Sequence, residues 1–339
     1  MAEVDPFRES NWSAAPIRDL GLKIEGTRLE PVLAEFEVER EKLGLRVKPR
    51  YYLSTDWGVV TDTVAIAIPF YLARPELSEL HAQRIGMIEG EGRRALLGYL
   101  RHEFGHVVNY AYKLYDRGEW VRLFGPITKP YLEEYHPAPF SRRFVRHLPG
   151  WYAQKHPDED WAETFAVWMT PELDWRDEYA ELSTALAKLE WCDRTLAALR
   201  EREPLVTATE TEEPVESITL SVEELYKAAA PPAEIPRGLD GALRAIFDDL
   251  AADDASDRAT WRPASELMRE IERPLVACVF RWTGHFPERT RALMRRLASR
   301  CEALGLSYPE ARRASAEMAV TTFVTTLAMN FVASGGYEP

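Results

Sequence analysis

Cysteine is nearly missing from this chain of 339 residues: Cys192, Cys278 and Cys301 stand far apart and form no C-x-x-C pair. That excludes a disulfide framework and a zinc site built from cysteines. Basic charge is short as well. Against 55 acidic residues there are 42 lysines and arginines, and the net charge of −13 disfavours nonspecific binding to nucleic acid or to an anionic membrane. Neither partner is expected. Met1 to Asn11 lacks the basic and then apolar order of a secretory leader, so the expected location is cytoplasmic. The most apolar stretch, Met318 to Ala333, holds four threonines and Asn330 before Gly335-Gly336 ends it. It falls short of the ~20 mostly apolar residues that a membrane span needs, and reads as a buried helix of a bundle.

What is present is a chain with 46% hydrophobic residues, enough for a large core and two domains. Arg93 to Asp116 carries no proline and reads as one long helix, and inside it His102-Glu-Phe-Gly-His106 spells His-Glu-x-x-His. Positions i and i+4 leave a helix on one face about one turn apart, so both imidazoles can reach one tetrahedral zinc ion while Glu103 sits beside an open position. Zinc lowers the pKa of its water toward ~7, and a neighbouring carboxylate can take the proton as that water attacks a carbonyl. Five residues alone can match by accident. Here Leu96, Leu97, Leu100, Phe104, Val107, Val108 and Ala111 give the helix a broad apolar face, as a half-buried metal helix requires.

Two histidines and a water leave zinc one protein ligand short. The segment from Trp151 to Ala166 supplies the candidates. Pro157 and Asp158 resemble a helix start, with Asp158 as N-cap and Glu159 and Asp160 in the first turn near the positive end of the dipole. Glu159 and Glu163 share a face and compete for the third-ligand role. The expectation falls on Glu163, because it lies inside the helix while capping and the dipole suffice to explain Glu159. Ala162 and Ala166 flank it with small side chains that let the zinc helix approach closely.

With these residues in view, His102-Glu-Phe-Gly-His106 and Ala162-Glu-Thr-Phe-Ala166 resemble zincin metallopeptidases of the lethal-factor and Mlc-titration-factor type, in which an Ala-Glu-x-Phe-Ala segment provides the glutamate ligand. A bacterial family of zinc-binding metallopeptidases is more similar still, over Pro16 to about Ala198, through Ala67-Ile-Pro-Phe-Tyr-Leu-Ala73, Leu100-Arg-His-Glu, Ser141-Arg-Arg-Phe-Val and Trp151-Tyr-Ala-Gln. The resemblance implies His102, His106 and Glu163 as ligands of one Zn²⁺ ion and Glu103 as catalytic base. Two departures stand out: some relatives carry an N-terminal zinc ribbon that this chain lacks, and the acid that thermolysin-like enzymes place four residues after the glutamate ligand is here Val167.

A tetrahedral intermediate also needs a donor for its oxyanion. His156 is seven residues before Glu163, the offset at which lethal-factor-like enzymes place a tyrosine, and Tyr152 is four residues earlier. Both are candidates. His147 reads as structural, and Asp160 and Asn109 are candidates to orient the imidazoles.

The expected fold is α+β: a zincin-like metallopeptidase domain over residues 1–205, an exposed acidic linker over 206–218, and an α-helical accessory domain over 219–339. Leu29 to Leu45 reads as a helix, Arg46 to Ser54 and Val64 to Phe70 as strands, and Tyr179 to Leu199 as a further helix. Val64-Ala-Ile-Ala-Ile-Pro69 is the candidate edge strand for an extended substrate. Thr209 to Tyr226 holds six glutamates, no basic residue and Pro214, which suggests a linker. Five helices follow, over 221–229, 239–252, 263–282, 287–304 and 309–332. The Arg289 to Arg300 stretch makes one of them basic on a solvated face, and His285 reads as structural. This domain is expected to shape the cleft or recruit a protein partner.

The reading is a zinc-dependent hydrolase of peptide or amide bonds. Two alternatives remain: an inactive zincin-like scaffold, and a zinc amidase acting on a ligase-made small molecule or tag.

Overall fold

The computed structural model describes residues 7, 11–132, 135–171, 173–228, 238–248 and 260–337. It is mostly helical with two small sheets, which makes it α+β. The chain divides into two compact units, one of Met1–His81 with Ile88–Ala229 and one of Ala82–Met87 with Ala230–Pro339.

In the first unit, α1 (Leu29–Glu41) leads into β1 (Arg50–Ser54), β2 (Gly58–Val59) and β3 (Ala65–Pro69). The sheet order is β1-β3-β2, with β1 parallel and β2 antiparallel to β3. All five residues of β3 are buried, as a central strand of Ala, Ile and Pro should be. This corrects one expectation. Val64 to Pro69 is the middle of the sheet and cannot accept a further strand; β1 and β2 are its edges, β2 pairing through Gly58↔Ala67 and Val59↔Ile66.

Next come α2 (Pro75–Ile85), whose last four residues belong to the second unit, α3 (Arg93–Ala111), α4 (Gly118–Phe124), α5 (Pro157–Met169), α6 (Trp175–Glu178), α7 (Ser183–Leu199) and α8 (Val222–Ala228). Every residue of α3 from Leu96 to Ala111 is buried, so it is the central helix of the unit. α1 covers one side of it, where the Phe36 and Phe104 rings meet edge-on at 5.8 Å and Arg101 holds Glu39 with two 2.8 Å hydrogen bonds. α5 covers another side. A β-carbon at Gly105 would lie only 2.9 Å from the Ala162 Cα, so the glycine and the alanine together allow the two backbones to touch.

The acidic stretch is no exposed linker. Ala208 accepts from the Val64 amide, Ser54 Oγ donates to the Glu212 and Glu213 carbonyls, and Pro16 bridges to Ser221. Val215, Ile218 and Val222 point inward while Glu212, Glu213 and Glu216 point out. The expected boundary at 206–218 therefore falls inside the first unit. Three buried apolar side chains and a set of backbone hydrogen bonds outweigh the solvation of the intervening glutamates.

The second unit contains α9 (Asp240–Asp248), β4 (Trp261–Pro263), α10 (Ala264–Thr283), α11 (Pro287–Leu304), β5 (Ser307–Pro309) and α12 (Arg313–Ser334). Leu267, Ile271, Leu275, Leu293, Leu297 and Val324 fill its core. Among the described helices, the one over Glu310–Ser334 is long and apolar enough to cross a membrane by length and composition, longer than expected. Ala316, Val320, Val324, Leu327 and Ala328 nonetheless bury one face of it in this core. Arg291 belongs to no solvated stripe: it is buried, pairs with Glu272 and donates to the carbonyls of Gln83 and Arg84, tying residues 82–87 to this unit.

Candidate metal centre

α3 presents His102, Glu103 and His106 to a cleft of about 520 Å³ whose other walls include Trp57, Gly58 and Val59 beside and within β2, Tyr110, Tyr131, Tyr152, Asp158 and Glu159. α5 faces it from across the Gly105–Ala162 contact. His156, and not Asp158, caps α5. Its Nδ1 accepts from the Asp158 amide at 3.2 Å and its Nε2 donates to the Lys129 carbonyl at 2.8 Å. With both ring nitrogens committed, His156 has no donor left for an oxyanion, although it lines the cleft.

The three acids after Pro157 are buried, and each has a specific side-chain partner, where capping and the helix dipole were expected to account for Asp158 and Glu159. Glu159 Oε2 lies 3.0 Å from His102 Nε2 and 3.2 Å from His106 Nε2, and the two Nε2 atoms are 3.2 Å apart. Asp158 accepts from His106 Nδ1 at 3.0 Å and also from Asn109 and Tyr110. Asp160 pairs with the buried Lys188 of α7 at 2.6 Å.

Glu163 is not brought into the metal cluster, which corrects its expected role as ligand. Its Oε1 accepts from His102 Nδ1 at 3.0 Å, and its carboxylate also takes the amides of His147 and Leu148 at 3.0 Å. These contacts fill its lone pairs on the far side of the imidazole. His147 is structural, as expected: its ring bonds the Gly98 carbonyl at 2.9 Å. Asn109 reaches the imidazoles only through Asp158, and Asp160 not at all among the described contacts.

The hydrogen-bond pattern tests whether a metal fits. With Glu163 and Asp158 each holding an Nδ1–H, both Nε2 atoms turn lone pairs toward one point, and Glu159 Oε2 adds a third. In the neutral tautomers three acceptors meet there with no donor between them, so either a proton on an imidazole or a cation must fill the gap. His102, His106 and Glu159 form a group that could hold a metal ion, its ligand atoms within 4.8 Å of one another. The separations of 3.0 to 3.2 Å are close to the edge of about 3.3 Å that a tetrahedron with 2.0–2.1 Å bonds requires. The electrostatics agree. Burial alone would lower the His102 pKa, yet the carboxylates of Glu159 and Glu163 raise it to about 9, and His106 is raised by Asp158 and Glu159 in the same way. The pocket draws positive charge. Glu103, 4% exposed on the same helix face, is pushed up to about 7 by burial.

Tyr152 lines the cleft with its ring 5.6 Å from that of His102, and its hydroxyl is 3.2 Å from that of Tyr131. The backbone just before it turns through two left-handed residues, Gly150 (φ 81°) and Trp151 (φ 61°). A tryptophan pays for that conformation, and here Phe140 packed at 4.8 Å and Arg146 at 4.4 Å hold it. Tyr131 carries no motif and was not singled out from the sequence; its only signal is a tyrosine in the proline-rich stretch before α5.

Residues 60–224 match the model of the family described as "Putative zinc-binding metallo-peptidase". Over 126 residues it is 30% identical to an uncharacterized protein of Mycobacterium tuberculosis (strain ATCC 25618 / H37Rv) and to one of Mycobacterium bovis (strain ATCC BAA-935 / AF2122/97). The match covers 34% of this chain and only 33% of each relative. No solved structure matches the chain.

Proposed function

We propose that this protein is a zincin-like, zinc-dependent hydrolase of peptide or amide bonds, with one zinc ion held by His102, His106 and Glu159 and with Glu103 as general base. The observation that carries this reading is the convergence of two imidazole Nε2 atoms and one carboxylate oxygen on a single point, beside a buried carboxylate in an open cleft. The chemistry such a metal supplies when bound is Lewis acidity and a water whose pKa falls toward ~7.

The chain's own groups do the rest. Glu103 takes the proton of the attacking water and returns it to the leaving amine, a role its raised pKa suits. Glu163 and Asp158 fix the imidazole tautomers so that Nε2 stays free of hydrogen. The Tyr152 hydroxyl donates to Tyr131 while Tyr131 donates to Glu159, and by rotating it can give that proton to the carbonyl oxygen as charge develops there, whereas His156 is held at both ring nitrogens. Gly58 and Val59 of the edge strand line the cleft and offer an extended substrate backbone partners. The cytoplasmic setting and a partner-recruiting role for the second unit belong to the same proposal.

The test is metal content and turnover on a defined peptide mixture for the wild type and Glu103→Gln. One zinc per chain is expected in both, with cleavage reduced about 10²- to 10⁴-fold in the variant. Absence of zinc from the wild type, or equal cleavage by the two proteins, overturns the assignment.

A further inference from the structure

The two oxygens of Glu159 are used differently. Oε2 faces the two histidines, while Oε1 accepts the Tyr131 hydroxyl at 2.6 Å, the length of a charge-assisted hydrogen bond. Tyr131 lies outside the helices, on the segment between α4 and α5. Its residue is 47% exposed, with Lys155 Nζ 4.4 Å above the ring, yet its hydroxyl reaches the buried carboxylate. Tyr152 meets that hydroxyl at 3.2 Å and touches Glu159 only through it, among the described contacts.

A carboxylate whose second oxygen is free can turn both oxygens onto a cation and occupy two coordination positions. A strong donor on Oε1 opposes that turn. We infer that Tyr131 is a positioning residue of the metal centre: by holding Oε1 it commits Glu159 to a single coordinating oxygen and keeps a position open for water and substrate. The inference rests on the ligand set proposed above and adds a group that neither the motif nor the family description contains.

The test uses the full chain with cobalt(II) as the probe, read by visible absorption, because four-coordinate cobalt absorbs several-fold more strongly than five-coordinate cobalt. Tyr131→Phe removes one oxygen atom from a half-exposed residue, so folding is not at stake. The wild type and Tyr152→Phe are expected to give the intense four-coordinate bands. Tyr131→Phe is expected to give the weak bands of higher coordination, and a zinc dissociation constant about tenfold higher, the usual scale for losing a group that orients a ligand. An unchanged cobalt spectrum in Tyr131→Phe overturns the inference while leaving the ligand set standing. The same weakening in Tyr152→Phe also overturns it. Failure of the wild type to take up cobalt removes the ligand set and the inference together.

Discussion

Glu163 Oε1 stands 3.0 Å from Nδ1 of His102, on the opposite edge of the imidazole from the nitrogen that faces Glu159. One histidine thus separates two glutamates that are a single helical turn apart, and they have different work. Glu159→Ala should abolish stoichiometric zinc binding, because it removes one of the three proposed ligand atoms. Glu163→Ala should retain zinc with an affinity about 10- to 100-fold lower. Metal content and competition titration of both purified variants decide the matter; depleted zinc in Glu163→Ala alone would restore the role expected from the sequence.

Gly105 fixes how closely the two site helices approach. An alanine there brings Cβ to 2.9 Å from the Ala162 Cα, 3.2 Å from its carbonyl oxygen and 3.2 Å from Phe165 Cβ. Backbone must move to relieve this. Overpacking of about 1–3 kcal/mol should exceed the roughly 1 kcal/mol gained in helix propensity. Gly105→Ala is expected to lower the thermal midpoint and to weaken zinc binding, whereas a midpoint at or above that of the wild type would show that the contact has slack.

Lys188 and Asp160 are each 2% exposed and meet at 2.6 Å behind the site. Breaking a buried pair strands a charge, so Lys188→Met should cost about 3–5 kcal/mol in denaturant unfolding. Asp160→Leu combined with Lys188→Met should recover most of the loss. Equal instability of the single and double variants would mean that the lysine acts mainly through its 3.0 Å contact with the Arg143 carbonyl.

His285 is 1% exposed, its ring held between Thr290 at 2.7 Å and Tyr337 at 2.9 Å, and burial lowers its pKa to about 4. The unfolded chain, with an ordinary value near ~6.5, binds the proton more readily. The neutral histidine therefore contributes stability that is complete above about pH 6.5 and is lost as pH falls toward 4, on the order of 2–3 kcal/mol. His285→Gln should show a correspondingly shallower loss than the wild type between pH 6.5 and 4. Parallel stability curves for the two proteins would contradict the assignment.

The parts legible in the sequence are those written in periodicity and caps. The α3 motif, the helix after Pro157 and the helices of the second unit follow from apolar spacing with Gly and Pro punctuation, and the structure has them within a few residues at most ends. The choice between Glu159 and Glu163 was not legible, because both lie on one helix face and only the crossing at Gly105 and Ala162 decides which one meets Nε2. The edge strand was missed for another reason: Gly58–Val59 is two residues long, too short for alternation to register. The acidic stretch misled because composition counts its glutamates and passes over three apolar residues spaced among them.

The cap of α5 has a mechanical consequence. His156 ties the first turn of the helix that bears Glu159 to the Lys129 carbonyl, and two residues further along the same segment Tyr131 grips that glutamate's outer oxygen. Rim and ligand helix are thus stitched together at two points. Under the ligand set proposed above, a molecule that pushed the rim aside would also disturb the carboxylate offered to the ion, a coupling that would favour slender, extended chains over bulky folded ones.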